Sequence, residues 1–258
     1  MLQKEIQCFF TALMFFTRIP CPAWVNHSEE ILNKSSKYFP VVGWIVGALS
    51  ALVAFGSLYL FPVPVAIVLS MIASIFITGA FHEDGFADVC DGFGGGWTKE
   101  QILTIMKDSR LGTYGVTGLF LVLLAKFLLL TEIARINLCR LEASLEAAHA
   151  ASRFIAVTFI QTHTYVQDPD KSKSKPIASR KLGTPEILFS AFTAIIPLFL
   201  FKEWLFFMAF PLAFLTKLYL GSYFKKRIGG YTGDCLGATQ QVSELVFYMA
   251  IVGLWKFL

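Results

Sequence analysis

From Val41 to Phe61 the chain carries no charged side chain, and it returns to this pattern repeatedly. About 20 apolar residues span a bilayer as a helix, so each such run is a candidate span. Pro62-Val63-Pro64 turns the chain and Val65–Phe81 runs back. Further runs cover Tyr114–Ile133, Ala143–Tyr165, Ile187–Phe201, Trp204–Leu220 and Leu245–Leu258, the last preceded by helix from about Ala238. The expected fold is all-α: a single polytopic membrane bundle over residues 1–258 with about seven spans. Leu2, Ile6, Phe9, Phe10, Leu13 and Met14 recur at helical spacing opposite Gln3, Lys4, Gln7 and Thr11. That pattern predicts an amphipathic N-terminal helix lying at the membrane interface. Arg18-Ile19-Pro20 interrupts the run and no A-x-A site follows, which argues against a signal peptide.

Composition agrees. Hydrophobic residues make up 55% and charged residues 16% of the chain, and mean hydropathy is +0.62. Soluble domains carry about 45–50% apolar and about 25% charged residues. An ordinary soluble enzyme, a disordered chain and a disulfide scaffold are therefore excluded. The five cysteines form no CxxC pair and read as small buried hydrophobes. The net charge of +4 is too small to imply a nucleic-acid partner. It fits the lysine and arginine excess of cytoplasmic loops. With the N-terminus and the loops 82–112, 166–185 and 221–236 on one side, that side holds 15 Lys and Arg against 4 on the other. These three loops are expected to be cytoplasmic and to carry most of any site.

Three segments carry chemistry. In His82-Glu83-Asp84-Gly85-Phe86-Ala87-Asp88-Val89-Cys90-Asp91-Gly92, four acids fall within nine residues without a Lys or Arg. Asp84, Asp88 and Asp91 stand at i, i+4 and i+7, one face of a helix. Crowded carboxylates repel unless a cation lies between them, and hard oxygen donors select Mg²⁺, Mn²⁺ or Ca²⁺. A solvated acidic helix end is the plainer alternative. Glu83 points about 100° away from the shared face and is left out of the ligand set. His82 reads equally as a base, a phosphate donor or an interface histidine.

Lys107 and Arg110 fall at i and i+3 of a short helix expected from about Lys99, a spacing that can hold phosphate oxygens. Gly112 and Gly115 allow close backbone approach. An ordinary basic flank to the next span explains the pair equally well. In Gly229-Gly230-Tyr231-Thr232-Gly233-Asp234-Cys235-Leu236-Gly237-Ala238, four glycines surround Asp234 ahead of a helix, as in a phosphate or metal loop. Gly230, Thr232 and Gly233 are its candidate binding residues, and a flexible connector is the alternative. Arg153 sits inside a weak span with His149 four residues earlier. A charge at the bilayer centre costs roughly 2.5–3.5 kcal/mol on insertion scales, which an anionic substrate facing the bundle interior would offset. Lys126 interrupts another apolar run without suggesting a role.

Together these segments resemble the cobalamin synthase family. HEDGFADVCDG at 82–92 is similar to its H-x-D-G-x-A-D-x-x-D-G, and IMKDSRLGTYG at 105–115 to its I-M-K/R-D-S-R-x-G-T-x-G. GGYTGDCLGA at 229–238 is similar to its G-G-x-T-G-D-x-L-G-A, and FTRIP at 16–20 and FPVVG at 39–43 to its N-terminal signatures. The segment 166–185 is less typical. The resemblance implies a Mg²⁺-dependent enzyme of the cytoplasmic membrane. It would join adenosylcobinamide-GDP to α-ribazole or α-ribazole 5′-phosphate, releasing GMP at the last assembly stage of cobalamin synthesis. Asp84, Asp88 and Asp91 would hold the metal, and Asp108 or Asp234 would complete its shell or hold a second ion. Lys107, Arg110 and Arg153 would clamp phosphates, and His82 or an aspartate would accept the hydroxyl proton. The lipid bilayer is the expected surrounding partner, and the bundle leaves room for a homo-oligomer. Two competing readings are a CDP-alcohol phosphotransferase and a divalent-cation transporter. The first lacks the Ala-Arg and the later D-x-x-x-D of its motif. The second would place its acids nearer the bilayer midplane.

Overall fold

Small residues set the middle of the molecule. In the computed structural model, which describes residues 2–25, 28–166 and 181–258, helix α8 (Leu138–Thr162) is buried along almost its whole length. Its run of alanines at 147, 148, 150 and 151 lies against α3 (Phe39–Leu58). Gly43 and Gly47 make that approach possible. A Cβ at Gly43 would sit 2.5 Å from the His149 carbonyl oxygen, and one at Gly47 would sit 2.9 Å from the Glu146 Cα. Glycines four residues apart on one face let membrane helices pack backbone to backbone.

The remaining elements surround this pair. They are α1 (Leu2–Phe16), α2 (Glu29–Ser35), α4 (Val63–Thr78), α5 (Phe81–Gly95), α6 (Lys99–Ile105), α7 (Thr113–Ile136), α9 (Thr184–Ile195), α10 (Ala209–Ile228) and α11 (Gly233–Trp255). No strand occurs among the described residues, only an isolated bridge between Tyr165 and Tyr231. The all-helical expectation holds.

Four stretches are long and apolar enough to cross a membrane: Glu29–Leu58, Thr113–Ile136, Trp204–Ile228 and Gly233–Trp255. The pair α4 and α5 would make a fifth, but it is bent by 89° at Gly79 and Ala80, both at positive φ. Length and composition thus support four or five spans, and a count of seven is not reached by them. Helix α8 is too polar to qualify by composition, because it faces protein on nearly every side and needs no apolar exterior. The run at 187–201 lies in the shorter apolar helical stretch Thr184–Leu200, where α9 passes into a 3-10 turn at Pro197, and the run at 204–220 lies in the stretch Trp204–Ile228.

Two loops are also corrected. The segment 82–112 is mostly helix, α5 and α6, and 221–228 continues α10. Lys171, Lys173, Lys175 and Arg180 of the loop 166–185 lie outside the described residues. Helix α1 forms, but its buried face is Cys8, Thr11, Ala12, Leu13 and Phe16. Leu13 is buried and Gln3 and Lys4 are exposed, as assigned; Thr11 is enclosed and Leu2 exposed, because Phe16 and Leu13 dock on Phe39 and the rest of the N-terminal core.

Candidate active site

Helix α5 starts after the sharp corner at Ala80, so the acidic motif is a helix, as its spacing predicts. The motif splits into two faces. Asp84 is exposed and Asp88 is half-buried on the outer side. Opposite them stands Asp234 in the first turn of α11, since Gly85 lets the two helices touch: a Cβ there would meet the Asp234 Cα at 3.0 Å. Gly237 gives way in the same manner to the His82 backbone, at 3.2 Å. Asp84 and Asp234 both lie within Coulombic range of Asp88, and of each other. No cation pairs with these three carboxylates among the described residues.

Asp91 does something else. Its oxygens accept the backbone N–H of Gly112 at 2.7 Å and of Gly115 at 2.8 Å, so it caps the N-terminus of α7. The first turn of a helix leaves N–H groups without partners, and a carboxylate satisfies them. Gly112 and Gly115 are needed for this seat, because a Cβ would fall within 2.5 Å of the Asp91 carboxylate. The glycines of 105–115 thus receive a side chain of this chain, and Asp91, expected as a metal ligand, serves here as a helix cap.

Lys107, Asp108 and Arg110 are exposed and lie beyond the end of α6 at Ile105. The expected helical face does not form. Asp108 accepts the Arg110 backbone N–H at 3.0 Å and turns the chain out of the helix. It also binds the Arg110 guanidinium at 2.7 Å, and the hydrogen bonds from Arg110 hold its carboxyl down to about 2. Asp108 is therefore tied to Arg110 and stands apart from the group formed by Asp84, Asp88 and Asp234.

The glycine loop is tightly built. A Cβ at Gly230 would fall 2.0 Å from the Thr164 carbonyl oxygen, which accepts the Tyr231 N–H at 2.9 Å. Thr232 is the N-cap of α11 and accepts the Cys235 N–H at 3.3 Å. Gly230 and Thr232 shape the loop, and Gly233 lines a cavity. That cavity, about 30 Å³, is also bounded by His82, Arg153, Gln240 and the rings of Phe16, Phe39 and Phe81.

Arg153 faces the bundle interior, as its burial cost requires. One guanidinium nitrogen, Nη1, donates to the His149 carbonyl at 2.9 Å and contacts His149 Nδ1 at 3.1 Å. Its Nε has no partner. Around it lies a polar network that the sequence reading missed. Glu244 binds Lys126 at 2.9 Å and accepts from Gln240 and Tyr248, and it approaches His149 Nδ1 at 3.4 Å. Gln241 donates to Glu83 at 2.9 Å and accepts from Lys126 at 3.1 Å. Glu83, set aside for pointing away from the shared acidic face, points inward and joins this network. The signal was present: Lys126 and Glu244 are charges inside apolar helices, and such residues mark buried polar sites.

Among the described residues no three His, Cys, Asp or Glu side chains already converge on one point. Mg²⁺ seldom needs that, taking one or two carboxylates with waters and substrate phosphates. Asp84, Asp88 and Asp234 supply hard oxygen donors without a protein cation, and they fit such an ion. Asp91 and Asp108 already accept hydrogen bonds from within the chain.

A family model described as cobalamin-5-phosphate synthase matches residues 8–252. Among curated proteins, the adenosylcobinamide-GDP ribazoletransferase of Shewanella frigidimarina is 46% identical over 250 residues, covering 96% of this chain and 95% of that one. The protein of the same name from Shewanella amazonensis is 44% identical, covering 98% of both chains. No solved structure matches.

Proposed function

The chain belongs to the cobalamin-5-phosphate synthase family, and we propose on that premise that it joins adenosylcobinamide-GDP to α-ribazole or α-ribazole 5′-phosphate. A ribazole hydroxyl oxygen bonds to the cobinamide-bearing phosphorus. The bond from that phosphorus to GMP breaks, GMP leaves, and the hydroxyl proton passes to the enzyme. The observation that carries this reading is the meeting of Asp84, Asp88 and Asp234 at the contact of α5 with the N-terminus of α11.

Asp84, Asp88 and Asp234 are the residues that would hold Mg²⁺. Bound there, the ion would neutralise charge developing on the diphosphate oxygens. The positive end of α11 favours the same anion. Lys107 and the exposed Arg110 reach phosphate groups from outside, Arg110 exchanging Asp108 for substrate. Arg153, whose Nε has no partner among the described residues, is the buried phosphate contact. His82 faces the small cavity with Arg153, so an aspartate of the acidic group accepts the proton.

The chain is a multi-pass membrane protein by its apolar helices. The lysine and arginine bias supports an active site facing the cytoplasm, in the inner membrane of a bacterial cell. The CDP-alcohol and transport readings have no support from the relatives.

The test is an assay in liposomes with adenosylcobinamide-GDP, α-ribazole 5′-phosphate and Mg²⁺, following GMP release and the cobamide product by mass. Product that disappears with EDTA and in Asp84→Ala supports both the transfer and its metal. Folded protein that releases no GMP defeats the reading. Undiminished product in EDTA retains the transfer and removes Mg²⁺.

A further inference from the structure

Far from the acidic face, a groove of about 550 Å³ opens on the outside of the bundle where α3, α8 and the 3-10 turn after α9 meet. Its wall is apolar: Trp44, Ile45 and Ala48 on one side, Pro197 and Leu200 on the other. Glu146 is its one charged lining residue. This carboxylate is half-buried and has neither ion pair nor hydrogen bond among the described residues. The nearby Arg140 is committed to Glu203, and Arg135 to Glu132. Glu142, one turn away, adds a like charge.

An unpaired carboxylate beside hydrocarbon is costly, so the groove favours a ligand that brings a cation. Depth identifies the source. Glu146 lies about 9 Å along α8 from Arg140, at 1.5 Å per residue. Helical side chains tilt toward the N-terminus, here toward the charged end of the bundle. Arg135, Arg140, Lys202, Glu203 and Lys256 mark that end as the water boundary, and the exposed Trp204 fits an interfacial aromatic belt. The carboxylate therefore sits at the level where lipid head groups meet acyl chains.

We propose that this groove is a binding site for an aminophospholipid, phosphatidylethanolamine, with its ammonium on Glu146 and an acyl chain along Ile45, Ala48, Pro197 and Leu200. The occupant needs both parts. A soluble amine has no use for the apolar wall, and a choline head group cannot donate a hydrogen bond.

Native mass spectrometry of the full chain tests this, with equal phosphatidylethanolamine and phosphatidylcholine added to the detergent-purified protein. The wild type should retain phosphatidylethanolamine with roughly fivefold preference, the worth of the one hydrogen bond that an ammonium donates and a choline cannot. Glu146→Gln should bring the preference to unity, whereas Glu142→Gln should leave it. Ala48→Phe, which fills the groove, should lower retention of both lipids. Equal retention by the wild type, or a preference that survives Glu146→Gln, overturns the proposal. So does a dimer peak that Glu146→Gln abolishes, since a second copy would then be the occupant. The readout is lipid retention, so it stands or falls apart from the transferase reading.

Discussion

The two faces of α5 treat carboxylates in opposite ways. On the outer face, Asp84 and Asp88 stand with Asp234 and have no cation from the protein. On the inner face, Glu83 enters a network in which Glu244 is matched to Lys126 and surrounded by Gln240, Tyr248 and His149. One face is left short of positive charge and the other is nearly balanced. A buried charge must be matched at folding, because no solvent can do it later. A surface group of carboxylates can wait for a cation that arrives with substrate. The inner face therefore belongs to stability and the outer face to chemistry.

Substitutions can break that contrast. The largest effect is expected inside. Glu244→Ala leaves Lys126 without its carboxylate and should cost about 3–5 kcal/mol, seen as lost folded protein on heating in detergent. Glu244→Gln, which keeps the hydrogen bonds, should retain more folded protein. If Glu244→Ala folds like the wild type but loses turnover, the assignment of the inner face to stability is wrong. Outside, Asp84→Ala should keep the melting temperature while GMP release falls roughly 10²–10³-fold, the range for removing one preorganised electrostatic contact. Asp91→Ala sits between the two. It should cost about 1–2 kcal/mol of stability through the lost cap and leave the Mg²⁺ concentration needed for half-maximal rate unchanged. A shift in that concentration would return Asp91 to the metal. The smallest effect is expected for Arg110→Ala: KM for adenosylcobinamide-GDP should rise about fivefold, the worth of one exposed phosphate contact, with kcat and melting temperature held.

The contrast also explains what could be read from the sequence. Periodicity is a local property, so the helix carrying Asp84 and Asp88 was legible from spacing alone. Asp91 shares their face and still turns to Gly112 and Gly115, a partner 21 and 24 residues away that no spacing within the motif discloses. The exclusion of Glu83 was right about its direction and wrong about its importance, because inward meant toward Gln241, far along the chain. Hydropathy counted spans well where helices meet lipid, as in α7. It decides nothing at α8, whose exterior is other helices. The corner between α4 and α5 rests on Gly79 and on Ala80 at positive φ, and an alanine there gives no warning of a turn.

The contact at Gly43 reaches further than packing. The His149 carbonyl oxygen that a Cβ would strike also accepts the Arg153 guanidinium, so one oxygen records both how near α3 stands and where the buried arginine is held. A single methyl at position 43 would act as a wedge. It would lift α8 at the turn where Arg153 is anchored and leave every charged residue in place. The bundle thus has a mechanical weak point in an uncharged residue: its chemistry can be detuned through spacing alone, by a change that alters no titratable group.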